Sequence, residues 1–215
     1  MLNKSFEDGW ENIYAGNGLT NQQPSGWLID WVEIGDPLYA SSADKANGVP
    51  EMVHKQADQL PPDEQPGQPG ELILDGNNVY KIFHAQASFG ATLSQVVIGL
   101  KPNTTGTIKV PVNVHYHGAT DPWGVEVGVF VNDGGQWFNT TLKDKEWNYL
   151  DVSFDVDNRG EAHVEIYVKS KWNSPKDFFI DDISFDAIPT DGPPPGDNTL
   201  TITIPDWAKT ITFND

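Results

Sequence analysis

The chain has 215 residues, enough for one sizeable domain with a buried core and an appendage. Its 13 Lys+Arg against 31 Asp+Glu leave a net charge of -18, a surface that repels a polyanionic backbone and excludes nucleic acid as a natural partner. Cysteine is absent, which excludes a disulfide framework, a thiol nucleophile and a Cys-ligated zinc site, and no apolar run approaches the roughly 20 residues that span a bilayer.

The first residues, Met1 to Lys4, lack the hydrophobic region of a signal peptide, so an exported form would carry its signal outside this chain. Gly26 to Tyr39 reads GWLIDWVEIGDPLY and concentrates Trp27, Trp31 and Tyr39. The chain holds 8 Trp, more than core packing alone requires, and surplus flat rings suit the stacking of sugars. From Gly35 to Asn78 the sequence is polar and loop-like, with PPDEQPGQPG at Pro61 to Gly70; a connection this long in a compact domain points to function or disorder. Within it, 41–59 has room for one or two helical turns, which Pro50 interrupts.

Strand signals dominate the rest. In Ile108 to His117, Val110, Val112, Val114 and Tyr116 alternate with Lys109, Pro111, Asn113, His115 and His117. Val125 to Val131 puts four valines on one face and Glu126, Gly128 and Phe130 on the other. Tyr149 to Phe154 aligns Leu150, Val152 and Phe154, and Ala162 to Lys169 sets Val164, Ile166 and Val168 against His163, Glu165, Tyr167 and Lys169. Such alternation predicts half-buried antiparallel strands with inward valines. Turn chemistry separates them at Pro102-Asn103, His117-Gly118, Asn132 to Gly135 and Asp157 to Gly160. Pro189 to Asp197 reads as an extended linker, and Thr199 to Ile204, TLTITI, as one more strand. The expected organisation is an all-β, two-sheet antiparallel sandwich over 1–188, a Pro/Gly linker over 189–198, and a tail strand or a following domain over 199–215.

Five segments in this order carry a resemblance: NKSFEDG at Asn3 to Gly9, PSGW at Pro24 to Trp27, QVVIGLKPN at Gln95 to Asn103, WNYLDVSF at Trp147 to Phe154 and FFIDDISF at Phe178 to Phe185. Together they resemble the galactose-binding-like jelly-roll carbohydrate-binding modules attached to bacterial xylanases and cellulases, over about residues 3–187. The resemblance implies a jelly roll, a location outside the cell or on its surface, an oligo- or polysaccharide partner, neighbouring domains in a larger chain, and no catalysis. It also implies a structural calcium at one end of the sandwich, held by Glu7 of the opening motif with Asp181 and Asp182 of the closing one. Asp181 shares parity with Phe179, Ile183 and Phe185, and an inward carboxylate needs a cation or good hydrogen bonds. The segment Gly35 to Asn78 departs from the family, being longer than its usual connection.

The resemblance further implies that one sheet is concave and presents aromatic and amide groups to sugar. Asn113, His115, Glu126 and Tyr167 lie opposite the valine faces and are the expected ligand groups, with Trp31, Tyr39 or Trp123 at the rim and the 35–78 segment walling the cleft. Trp27 matches the family's packed position; Trp137, in a turn, is free to reach a ligand; Trp147 belongs to the core or its edge. The i, i+2 pair His115 and His117 has an alternative use in zinc binding, with His163 or Glu126 as third ligand, although nothing supplies the rest of a hydrolytic site. No G-x-S-x-G, Walker loop or dinucleotide fingerprint occurs, and no motif marks a glycosidase acid pair. The rival class is a structural or adhesive module of a surface assembly, in which the long segment and the tail strand make protein contacts. A 35–78 segment lying across the cleft would favour that class.

Overall fold

The computed structural model describes residues 1–16, 18–39, 41–118 and 124–190. The linker from residue 191 onward and the TLTITI tail lie outside these residues, as does Trp123. Fifteen strands follow in order: β1 (Trp10–Gly16), β2 (Leu19–Pro24), β3 (Leu28–Trp31), β4 (Pro37–Leu38), β5 (Ser41–Lys45), β6 (Glu51–Gln56), β7 (Asn78–His84), β8 (Phe89–Val97), β9 (Thr105–His115), β10 (Val125–Val131), β11 (Gly134–Phe138), β12 (Trp147–Asp155), β13 (Ala162–Ser170), β14 (Lys176–Ile180) and β15 (Ser184–Asp186).

Two antiparallel sheets form the sandwich. One has five strands in the order β11-β10-β13-β8-β3; the other has six, β12-β9-β14-β7-β6, with β15 pairing β9. The β1–β2 and β4–β5 pairs stand outside both sheets. The alternation read from the sequence decides which way each strand faces. Val110, Val112 and Val114 of the six-stranded sheet meet Val125, Val127, Val129 and Val131 of the five-stranded sheet in one core, and all seven are fully buried. Trp27 closes that core, donating from Nε1 to the Asn3 carbonyl at 3.1 Å. The expected turns fall at left-handed backbone: Asn103, His117 and Asn132 have φ of 56°, 49° and 51°, and Gly160 follows at 76°.

The 35–78 segment differs from its reading as a loop. It contains β4, β5 and β6, and the helical turns expected over 41–59 shrink to one 3-10 turn at Ala57–Gln59. The strand β6 was hidden because its inward positions are Met52 and His54, and histidine does not register as apolar. Pro50 stands immediately before the strand, where its missing N–H costs no ladder bond.

The second half of this segment, residues 57–75, is a strap across the outer face of the six-stranded sheet. Leu60, Leu72 and Ile73 pack on Val79 and Phe179 in a second apolar cluster, with Ala57 and Trp147 at its margin. Trp147 Nε1 donates to the Glu71 carbonyl at 2.9 Å. The strap escaped the sequence pattern because its apolar residues are spaced by a Pro/Gly run and show no period. Burying such side chains stabilises by roughly 1.5–3 kcal/mol each.

Leu72→Ala is expected to lower the unfolding free energy by about 2–4 kcal/mol, as deletions at packed leucines do. Urea denaturation measures this, and limited proteolysis should become faster within 61–70. A loss below about 0.5 kcal/mol, the usual scatter of surface substitutions, would mean that the strap is not packed on the sheet.

Candidate functional site

Strand register divides the expected ligand groups between two surfaces. Asn113 and His115 lie on β9 in the six-stranded sheet, whereas Glu126 on β10 and Tyr167 on β13 lie in the five-stranded sheet. All four point away from the valine core, so the two pairs occupy opposite outer faces and cannot touch one ligand. Asn113 and His115 are moreover buried, under the strap. The open cleft expected on that face is closed by residues 57–75, which are part of the segment expected to wall it. Trp31 is opposite Ala91 on β8 and packs partly buried against the core, so it is no platform.

The outer face of the five-stranded sheet is different. Here Tyr39 meets Tyr167 at 4.8 Å between ring centroids, edge to face, and Trp137 at 5.7 Å. Trp137 and Tyr167 are 5.6 Å apart, and Phe130 packs against both. All four rings are half-buried. Two glycines make room for them. A Cβ on Gly128 would lie 2.9 Å from the Phe130 ring and 3.1 Å from the Trp137 ring, and one on Gly90 would lie 2.8 Å from the Tyr39 ring. The short β4–β5 pair delivers Tyr39 onto the sheet, where its hydroxyl and Thr92 Oγ1 are 3.0 Å apart.

Beside the rings lies a charged group. Glu126 is bracketed by Lys169 and by Lys171, whose Nζ is 3.0 Å from Oε1, and Asn139 Nδ2 donates to the same oxygen at 3.4 Å. Lys169 Nζ also lies 4.3 Å from the centroid of the Trp137 ring. Burial alone would raise the Glu126 carboxyl, but the hydrogen bonds from the two lysines outweigh it and hold the group below its ordinary range. Glu126 is therefore an ionised anchor. Burial, with the neighbouring Glu165, pushes the Tyr167 phenol up to about 12, so its hydroxyl stays protonated. The sequence pattern pointed to Tyr39, Glu126, Tyr167 and Trp137 separately; the missing signal was that a two-residue strand folds Tyr39 back over β8.

The residues expected to hold calcium meet one backbone stretch. Glu7 Oε1 accepts from the amides of Asn77 and Asn78 at 2.8 and 2.6 Å, and Oε2 accepts from Asn78 Nδ2 at 2.8 Å. Asp181 Oδ2 accepts from the amides of Leu74 and Asp75 at 2.7 and 3.1 Å, and Oδ1 from that of Asp182 at 2.7 Å. The Asp182 side chain itself is exposed. Neither Glu7 nor Asp181 is ion-paired among the described residues. Asp181 is fully buried, and Asn78 Oδ1, beside Glu7, is a buried oxygen with no hydrogen-bond partner. Two carboxylates with no positive side chain and an orphaned amide oxygen thus line one five-residue stretch, oxygen donors of the kind a hard cation takes. Asn78 carried no motif and went unread in the sequence.

The zinc alternative changes its third ligand. His163 and Glu126 belong to the other sheet, and the group that joins His115 and His117 is Asp177. His163 instead contacts Glu161 and Arg159 at a solvent-exposed corner. No helix among the described residues is long and apolar enough to cross a membrane.

No family model matches the sequence, and no curated protein matches it. The fold has relatives among solved structures. TmCBM61 in complex with β-1,4-galactotriose is 16% identical, with 87% of this chain and 97% of that chain covered and a TM-score of 0.52. A putative sugar binding protein from Bacteroides thetaiotaomicron is 12% identical over 86% and 97%, with a TM-score of 0.48. The CBM22-1 xylan-binding domain from Paenibacillus barcinonensis Xyn10C is 12% identical over 87% and 93%, at 0.43. At 16% identity and a TM-score of 0.52 the first of these shares the fold alone: the chain is a jelly-roll sandwich.

Burial pushes the Asp181 carboxyl up to about 7, against the three backbone amides that favour its charged form. The folded value lies above the unfolded one of about 3.8, so this group's stabilising contribution is complete below pH 4 and is lost as pH rises through 7. Compared with Asp181→Asn, the wild-type melting temperature should therefore fall more steeply between pH 5 and pH 7.5 in the presence of EDTA. The comparison cancels the titration of other groups; parallel curves would contradict it.

Proposed function

We propose that this chain is a non-catalytic carbohydrate-binding module that takes a neutral or weakly charged glycan on the outer face of its five-stranded sheet. The observation that carries the reading is the group of half-buried rings, Tyr39, Trp137 and Tyr167, lying on a sheet surface that Gly90 and Gly128 keep clear. Aromatic rings stack on the apolar faces of pyranoses, while Asn139, Thr92 and the protonated Tyr167 hydroxyl supply hydroxyl partners. Glu126, held down by its two lysines, is unsuited to the general-acid role of a glycosidase. The jelly-roll relatives support the same class by fold. The module spans 1–188 and works outside the cell or on its surface, with residues beyond 190 joining it to neighbouring domains. Pro189 and Thr190 are still tied to the sandwich, Thr190 N–H donating to the Gly99 carbonyl at 2.9 Å.

A calcium ion belongs to this reading, held by Glu7, Asp181 and the orphaned Asn78 Oδ1. It would supply the positive charge that the two carboxylates lack and fasten the N-terminal segment to the return of the strap. The second reading, a structural or adhesive module, rests on one specific observation: the strap covers the other sheet face, as a protein-contact module with no open cleft there would have it.

Affinity electrophoresis in gels loaded with galactan, xylan or β-glucan tests the site. Retardation by at least one polysaccharide is expected, with Trp137→Ala and Tyr167→Ala each losing about fivefold or more in affinity, since a stacked ring contributes roughly 1 kcal/mol or more. Asn113→Ala should bind as wild type. Folded protein that no polysaccharide retards would move the assignment to the adhesive class. For the cation, calcium should raise the melting temperature at pH 7.5 and EDTA should reverse the gain, while Asp181→Asn should respond weakly. An identical melting temperature in calcium and EDTA would remove the ion from the reading.

A further inference from the structure

A second group of ligating side chains lies under the strap, away from both the ring platform and the Glu7–Asp181 corner. His115 ends β9 and His117 follows in the turn, at a φ of 49°. Tyr116 between them is turned inward and pinned twice, its N–H donating to Asp144 Oδ1 at 2.7 Å and its hydroxyl to the Leu142 carbonyl at 3.2 Å. That anchoring throws both imidazoles to the outer side of the sheet. Asp177 stands directly across from His115 on the neighbouring β14. One nitrogen from each histidine and one carboxylate oxygen of Asp177 lie within 4.8 Å of one another.

These atoms border a cavity of about 180 Å³ between the sheet and the strap. The strap contributes Glu64, whose Oε1 is 3.8 Å from His115 Nδ1, too far for a hydrogen bond. His115 is only 5% exposed, makes no hydrogen bond to another described residue and borders the cavity. His117 Nε2 is 3.1 Å from Asp177 Oδ2, and Lys81 Nζ is 2.8 Å from the same oxygen. Both contacts fall on Oδ2.

We infer that His115, His117 and Asp177 form a binding site for a divalent transition metal such as zinc, with Glu64 of the strap beside His115 at its edge. The chemistry of the donors selects the ion. Two imidazole nitrogens with one or two carboxylates suit zinc, whereas calcium takes oxygen alone. Tetrahedral zinc at bond lengths of about 2.0–2.1 Å separates its ligand atoms by roughly 3.3 Å, so the side chains would close in by about 1.5 Å at most. Lys81 and Lys145 oppose a cation here, and Lys81 would have to share Asp177 with the metal. Bound zinc would tie β9 to β14 in the cavity beneath the strap.

The test uses the whole chain after EDTA treatment and dialysis. Isothermal titration with zinc chloride should show one site, and cobalt(II) should give the visible absorption of a tetrahedral centre. His117→Asn, which suits the left-handed turn and keeps the fold, should weaken zinc binding by about tenfold or more and abolish the cobalt spectrum. His163→Asn should leave both unchanged, because that residue belongs to the exposed group with Asp157 and Glu161. Zinc binding should also slow proteolysis within 61–70. The inference is overturned if the wild type takes up no zinc, if His117→Asn binds it equally, or if His163→Asn is the variant that loses it.

Discussion

Asp181 and Glu7 hold the same five residues of backbone from two sides. One carboxylate comes from the end of β14 and the other from the opening segment, and both spend their oxygens on N–H groups between Leu74 and Asn78. Ser5 adds a third tie, donating to Asp75 Oδ2 at 2.8 Å. The corner therefore joins three stretches far apart in sequence: the N-terminus, the return of the strap into β7, and the closing strand. A buried carboxyl group satisfied by backbone amides leaves little freedom in the chain that supplies them, because each amide given up would leave a buried polar group unpaired. The strap is thus delivered to the outer face of the six-stranded sheet by a fixed end.

From that follows the asymmetry of the molecule. One sheet has its outer face closed by Leu60, Leu72 and Ile73; the other carries rings that remain half in solvent. The closed side buries Asn113, His115 and Asp177, polar groups that an exposed sheet would have left hydrated. Asn113 Oδ1 has no hydrogen-bond partner there. Retaining such groups under a lid is costly, since each buried and unpaired polar atom forfeits roughly 1–3 kcal/mol. Ring packing and ion pairing on the open side follow a different logic: Gly90 and Gly128 give up side chains of their own, and the space goes to Tyr39 and Trp137.

Much of the fold was legible because the valine strands alternate strictly, and alternation states which residues share a face. It says nothing about which sheet a strand joins. That is why Asn113 and Glu126, each correctly placed opposite the core, were assigned to one surface although they belong to two. The strap was invisible for another reason: PPDEQPGQPG has the composition of a solvated loop, and the flanking Leu60 and Leu72 acquire a partner only through the tertiary fold. Tyr39 illustrates the same limit, since a strand of two residues has no period to detect. Trp31 failed in the opposite direction, being an aromatic near a loop that turned inward opposite Ala91.

The attachment of Thr190 to Gly99 also determines how the domain would hang from anything joined beyond it. Gly99 lies just past one end of β8, and Thr92, beneath the rings, lies seven residues back toward the other; at about 3.3 Å per residue the two are roughly 20 Å apart. A neighbour tethered after Thr190 would accordingly be attached at one end of β8, away from the mid-strand rings. The domain could pivot on that anchor while presenting its rings outward, so tether length would govern its reach and leave the contact surface untouched.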